Sequence, residues 1–282
     1  MKILIFLITI VSILIGCSKA PYETDVIIKY PLETGTVWEY NRTMAFTNFR
    51  PSISGTSYSE TTYIQTGYVQ VAGEKIFYDT IRTKQVLEVS HGLRTLVSEK
   101  YYLEKPEGLY LYGYKGGSNF TPKTSNSVGY KFKGIQFNNP QEILEYLEGM
   151  QNGLNKKSLD SINIEQIPLI VYKYPIEVGS HWNYLEKIEY IPFLIYKKVV
   201  GTELVRLPIG VFNTYVIQWL YDMNSDGIYD TDLEYKEYVS KQGIIKRQVT
   251  IKDVSVMTID SPEGIGLVDY EDLTLVTRIV IN

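Results

Sequence analysis

One eleven-residue pattern occurs twice in this chain, as Tyr30-Pro-Leu-Glu-Thr-Gly-Thr-Val-Trp-Glu-Tyr40 and as Tyr174-Pro-Ile-Glu-Val-Gly-Ser-His-Trp-Asn-Tyr184. Tyr, Pro, Glu, Gly, Trp and Tyr hold the same six positions, without a gap, and a lysine precedes each copy (Lys29, Lys173). Pro fixes φ and Gly permits a tight turn. The residues after the turn then alternate. That places Trp38 with Tyr40, and Trp182 with Tyr184, on one face of a strand. The variable members, Val37 against His181 and Thr34 against Val178, carry no common chemistry. The shared residues therefore set a turn and a buried strand start, and the chain reads as two related β units.

The composition agrees. Tyr, a strand-favouring residue that packs one ring face and keeps its hydroxyl wet, occurs 25 times in 282 residues. Runs such as Thr62–Val71, Lys84–Val89 and Leu109–Tyr114, separated by Gly-containing turns, predict an antiparallel meander. The hairpin rhythm of Tyr101–Tyr114 returns at Glu234–Ile251. The expected fold is mainly β: two antiparallel, meander or half-barrel-like sheet units, 25–138 and 172–282, with a connector at 139–171. In the connector, Asn139-Pro140 predicts a helix start. Ile143, Leu144, Leu147 and Met150 form one apolar face of a helix over 140–151, and Gly153 is placed to end it. Glu142, Glu145 and Glu148 read as its solvated face, and 154–167 as loop.

The first seventeen residues say where such a chain belongs. Met1-Lys2 is followed by an apolar run, Ile3 to Ile15, too short to span a bilayer. It ends in Leu14-Ile15-Gly16-Cys17, with the sole cysteine of the chain. This resembles the lipobox of bacterial lipoproteins. The resemblance implies a signal peptide at 1–16, acylation of Cys17 (a diacylglyceride plus a fatty acyl chain such as palmitate) and a tether at 17–24. At ~0.8 kcal/mol per buried CH₂, such an anchor is effectively permanent. Ser18 after the cysteine implies, by analogy with enterobacterial sorting, the outer membrane of the cell envelope. The repeated Trp–Tyr motif and the later strand–Gly–strand hairpins also resemble a loose type of uncharacterised lipoprotein of Gram-negative bacteria, which implies no activity.

One segment carries a chemical pattern: Asp222-Met-Asn-Ser-Asp-Gly-Ile-Tyr-Asp-Thr-Asp-Leu-Glu234. It resembles the calcium loop of EF-hand and dockerin-type proteins. Ca²⁺ takes six to eight oxygens. Asp222, Asn224 and Asp226 would supply side-chain oxygens, Ile228 its carbonyl, and Asp230 a further ligand. Leu233 stands where the closing carboxylate belongs, so Asp232 or Glu234 must serve, one residue out of register. The flanks read as strands. Any Ca²⁺ would therefore staple a hairpin loop, and the plain alternative is an acidic turn.

Other chemistries find little support. A net charge of −4 with scattered Lys and Arg argues against nucleic acid as a partner. One cysteine and two histidines, His91 and His181, exclude thiolate zinc and histidine-rich sites. There is no nucleophile elbow and no phosphate-binding loop. The reading is a non-catalytic envelope lipoprotein with a binding or structural role and a calcium-stapled loop. Its partners would be the membrane and an envelope protein or glycan. Two alternatives are a lipid or lipoprotein carrier, requiring an apolar cavity of several hundred Å³, and a hydrolase with dispersed carboxylates, requiring two close acids of shifted pKa.

Overall fold

The computed structural model of the chain describes residues 28–50, 62–92, 95–116, 129–151, 161–187 and 193–282. The described elements run β1 (Val37–Arg50), β2 (Thr62–Phe77), β3 (Ile81–His91), β4 (Thr95–Lys105), β5 (Gly108–Gly116), β6 (Gly129–Phe132), β7 (Ile135–Phe137), α1 (Pro140–Gln151), β8 (Asn163–Lys173), β9 (His181–Lys187), β10 (Phe193–Leu207), β11 (Gly210–Asp222), β12 (Leu233–Ser240), β13 (Gly243–Thr258) and β14 (Ser261–Val280). The expected signal peptide, Cys17, the expected tether and Gly153 lie outside the described residues.

All strands join one antiparallel sheet in the order β8-β5-β4-β3-β2-β1-β14-β13-β12-β11-β10-β9, with the β6–β7 hairpin branching from β13. The two units thus share a single sheet. Six strands (β1–β5 and β8) precede the second motif copy, and six (β9–β14) follow its turn. The first strand of one half pairs with the last of the other through the long β1–β14 ladder. The sheet curls until its ends, β8 and β9, meet. No backbone ladder joins them among the described residues. Side chains cross the seam instead: Trp182 Nε1 donates to the Ile170 carbonyl at 2.9 Å, and Lys197 Nζ to the Val171 carbonyl at 3.0 Å.

The halves repeat each other in detail. The Gly35 N–H bonds the Val71 carbonyl, Thr36 N–H the Glu33 carbonyl and Val71 N–H the Thr36 carbonyl; in the second half the same three bonds link Gly179 to Val199, Ser180 to Glu177 and Val199 to Ser180. Gly35 and Gly179 have φ of 92° and 91°, a left-handed conformation that glycine adopts without strain. A bulge follows in each second strand, at Val71/Gly73 and Val199/Gly201, and another in the fourth-to-fifth pairing, at Tyr101/Tyr102 and Tyr238/Val239. Bulges sharpen local twist, which helps a sheet of this length close.

Each half contributes six strands, an even number, so both motif copies arrive at the same rim and touch. Tyr30 N–H donates to the Tyr174 hydroxyl at 2.9 Å, and Tyr30 stacks on Tyr172. Leu32, Trp38, Ile176 and Trp182 are buried in the apolar cluster beneath. The copies together cap the barrel.

Helix α1 occupies the other end. Its start is set by Asn139, whose side chain accepts the Glu142 N–H at 3.1 Å, while Glu142 reaches back to the Asn138 N–H at 2.7 Å. Ile143, Leu144, Leu147 and Met150 pack into the larger core cluster with Phe193, Ile195 and Tyr221. Two expectations fail here. Glu145 is 1% exposed, and Glu148 is half-buried beside the charges of the lumen, so of the three acids only Glu142, which caps the helix, lies toward solvent. Residues 163–167, read as loop, open strand β8, the sixth of the first half.

Candidate functional site

The lumen between cap and helix is polar at its centre. Arg42 on β1 donates its Nε to both oxygens of Asp272 on β14, at 3.1 and 2.9 Å, and the Tyr270 hydroxyl also bonds Asp272. Glu88 on β3 pairs with Lys100 on β4 at 2.9 Å and with Arg247 on β13 at 3.9 Å. Tyr172 donates to Glu237 on β12 at 3.3 Å. Inward positions on strands far apart in sequence thus bring opposite charges together.

The electrostatics follow. Lys100, aided by Arg247, holds the Glu88 carboxyl down at about 2 against the effect of burial. Burial pushes Glu148 up, against the pull of Arg42. These two acids feel one another, yet each is surrounded by the cations of the network rather than by an open cleft.

A cavity of about 130 Å³ lies in this region, walled by Tyr40, Tyr102, Tyr184 and Trp219 and by Glu88, Lys100 and Arg247. At ~30 Å³ per molecule it has room for a few waters. Trp219 Nε1 and Thr274 Oγ1 line it and have no hydrogen-bond partner among the described residues, so polar groups do face the space.

Lys197 on β10 is the most unusual group. It is 0% exposed. Its ammonium lies 3.5 Å from the ring centroid of Trp219, 4.5 Å from that of Tyr184 and 5.3 Å from that of Tyr172. Burial pulls its pKa down to about 7, with Glu237 pushing the other way. A partly neutral amine is a potential nucleophile. Here its Nζ already donates to Val171 and is sealed behind three rings, so it acts as a strut across the seam.

At the helix end of the barrel, the acidic loop joins β11 to β12. Asp222, only 2% exposed, accepts the Asp226 N–H at 3.2 Å and the Gly227 N–H at 2.9 Å. Asp226 accepts the Ile228 N–H, Asn224 the Asp226 N–H, and Asp230 the Met223 N–H. Gly227 has φ of 84°, the sharp bend its position requires. Lys133 on the β6–β7 hairpin reaches Asp230 at 2.7 Å and Asp232 at 2.9 Å. Glu234 turns away to Lys236. The loop therefore gathers Asp222, Asn224 and Asp226, and leaves Asp230, Asp232 and Glu234 to lysines. Among the described residues, no three His, Cys, Asp or Glu side chains are grouped to hold a metal ion. An ion here would depend on Asn224 and the Ile228 carbonyl as well as on carboxylates.

Trp38, Tyr40, Trp182 and Tyr184 are all buried, at 3 to 7% exposure. Trp38 donates to the Gln242 carbonyl, and the Tyr40 hydroxyl to Val89 at 3.2 Å. Tyr40 lies over Gly67, where a Cβ would come within 2.6 Å of its ring. His181 is exposed, stacks on Tyr196 and contacts the Gly179 carbonyl.

Sequence reasoning missed Lys197. A signal existed, because Phe193, Ile195, Lys197 and Val199 alternate as one inward face. It also missed the Arg42–Asp272 pair, which joins residues 230 positions apart.

No family model matches the sequence, and no curated protein matches it. Among solved structures, the chain is similar to a protein of Bacteroides fragilis described as a candidate exported protein with a YMCC-like fold. The identity is 9%, with 90% of this chain and 99% of the other covered, at a TM-score of 0.34. A likeness of that strength says nothing about what this chain binds or does.

Proposed function

We propose that this chain is a lipid-anchored protein of a bacterial cell envelope, held in the outer membrane through Cys17, and that it works as a non-catalytic scaffold with a binding or structural role. The observation that carries the reading is the filled lumen. A helix, a two-part cap and a network of paired charges occupy it, and the remaining 130 Å³ falls short of the roughly 300–1,000 Å³ of ligand pockets. That supports partner binding on the outside of the barrel over transport inside it. An envelope protein or a glycan fits such a role.

The test is uptake of a fluorescent fatty acid by the purified protein. A scaffold gives no saturable signal. One equivalent of displaceable probe would replace this reading with the carrier. Anchoring is tested separately, by acyl labelling of the chain and of its Cys17→Ala variant in the bacterium. Labelling that survives the substitution, or never occurs, removes the anchor.

The acidic loop is proposed as a structural calcium site in the same protein. Support comes from Asp222, Asn224 and Asp226 gathered around one turn, with Gly227 at the bend. Bound Ca²⁺ would leave Asp230 and Asp232 to Lys133 or displace it. Ca²⁺ should raise the melting temperature over that in EDTA and give a binding heat that Asp222→Asn abolishes. An unchanged melting temperature with no heat sinks the assignment.

A further inference from the structure

The outer wall of the first half carries a small core of its own. Lys100 and Tyr102 on β4 line the lumen, so the alternate residues Tyr101 and Leu103 point outward. The β2–β3 hairpin runs on past Gln70, the last partner of β1, and lies back along this wall. The Phe77 ring packs 5.2 Å from the rings of Tyr101 and Tyr112, and Ile81, Leu103 and Ile164 pack against the three.

Beside this core lies an open groove of about 900 Å³. Tyr112, 6% exposed, lines it from the wall, and Tyr78, 72% exposed, from the hairpin turn. Burial raises the Tyr112 pKa, and the nearby Tyr78 hydroxyl raises it further. Tyr78 holds its place at a cost. It and Asp79 have φ of 50° and 59° in a turn closed by the Thr80 N–H on the Phe77 carbonyl at 3.2 Å. Such turns favour Asn and Gly, and a bulky residue at positive φ is an outlier. Strain of this kind clusters at functional positions. Polar groups surround the apolar floor: Thr80, Arg82, Lys105 and Gln166 line the groove and are exposed. Its one acid among the described residues, Glu165, is half-buried and already engaged, and Asp79 is not part of the lining.

The second half has the same hairpin, β10–β11, lying against the same wall, but different side chains. The space there is about 380 Å³ and no aromatic ring lines it. Lys246 crosses to Glu203 at 3.8 Å and sits 4.1 Å from the centroid of the Tyr238 ring. A cation that closes the second groove thus has no counterpart across the first, where two basic side chains stay exposed.

We propose that the groove of the first half binds an acidic sugar chain, with a sugar ring stacked on Tyr78 and its anionic groups on Arg82 and Lys105. This locates the proposed binding role on the outside of the barrel and rests on it. A sugar ring offers an apolar C–H face to an aromatic ring and a belt of hydroxyls to polar side chains, which is the lining found here. The guanidinium of Arg82 forks to match a carboxylate. An open groove also lets a long chain pass through, where an enclosed pocket admits only an end.

The experiment titrates the full chain, in detergent, with alginate, a polymer of uronic acids, and with dextran as the neutral control. Alginate should bind saturably and more weakly as salt rises, and dextran should not compete. Tyr78→Asn removes the ring and suits the positive φ, so it should weaken alginate binding about tenfold while leaving the melting temperature unchanged or raised. Arg82→Gln should weaken it several-fold, and Ile209→Asn on the other hairpin should have no effect. Undiminished alginate binding by Tyr78→Asn, or no alginate binding by the parent chain, overturns the site. Equal binding of dextran overturns the acidic class of ligand. The scaffold reading falls separately: only saturable fatty-acid uptake removes it, and a chain that takes up neither fatty acid nor alginate keeps that reading and loses this one.

Discussion

Trp182 offers the sharpest test of how the barrel closes. It sits at the start of β9, 6% exposed, in the apolar cluster under the cap. Its Nε1 donates to the Ile170 carbonyl on β8, across the junction where, among the described residues, no ladder joins the ends of the sheet. Truncating a buried tryptophan to alanine costs about 3–5 kcal/mol in cavity and lost transfer energy. Trp182→Phe keeps most of the ring and removes the donor. It leaves the Ile170 carbonyl short of a partner and should cost about 1–3 kcal/mol. Trp38→Ala is the control. Trp38 is equally buried, but β1 is held to β14 by a long ladder, and its indole bonds a turn. Urea unfolding should show comparable global losses for the two alanine variants. Amide exchange should separate them. Trp182→Ala opens β8 and β9 in a sub-global event, whereas Trp38→Ala leaves exchange in β1 and β14 tied to global unfolding. A loss under about 1 kcal/mol for Trp182→Ala, or unchanged exchange in β8, refutes side-chain closure of the seam.

The buried charges make two further predictions. Arg42→Met alone strands Asp272 in the lumen and should destabilise by about 3–5 kcal/mol, while the double variant Arg42→Met, Asp272→Leu should recover most of that loss in the same urea titration. Lys197 gives a pH signature. Its folded pKa of about 7 lies below the ordinary 10.5, so the unfolded chain binds the extra proton between those values. Its penalty is full below about pH 7 and fades as pH rises toward 10.5. Wild-type stability should therefore gain on the order of 3 kcal/mol relative to Lys197→Met between about pH 7 and pH 9.5. Parallel pH curves for the two proteins would show that Lys197 keeps an ordinary pKa.

Local grammar was legible in the sequence, and long-range register was not. The motif turn could be read because Pro, Gly and Trp act within a few residues of each other. The helix could be read from Asn139, Pro140 and a four-residue apolar stripe. β8 was hidden because Glu165, Gln166 and Pro168 break its alternation. The strand tolerates them where its pairing with β5 is interrupted, between Leu111 and Gly113. Glu145 and Glu148 looked solvated because a helix pattern shows charge and not surroundings. The cations near Glu148, Arg42, Lys100 and Arg247, come from strands in both halves. The calcium pattern is the reverse case. Its spacing is entirely local, but Lys133, which competes for two of its acids, comes from a distant hairpin.

The parity of the strand count ties these features together. Six strands bring each half back to the rim where it began, so both motif copies end on one rim and can cap it jointly. An odd count would have placed them at opposite ends, and the bond from Tyr30 to Tyr174 could not form. The same parity sends every third-to-fourth strand connection to the far rim. In the first half that connection is the short step from His91 to Thr95; in the second it is the acidic loop. In that connection the second half departs from the first at the rim opposite the cap. The cap rim keeps its twofold likeness, with one long hairpin from each half, β2–β3 and β10–β11. The two halves share one base, and what distinguishes them lies at the opposite end: the acidic loop in the second, and β6, β7 and α1, inserted between β5 and β8, in the first.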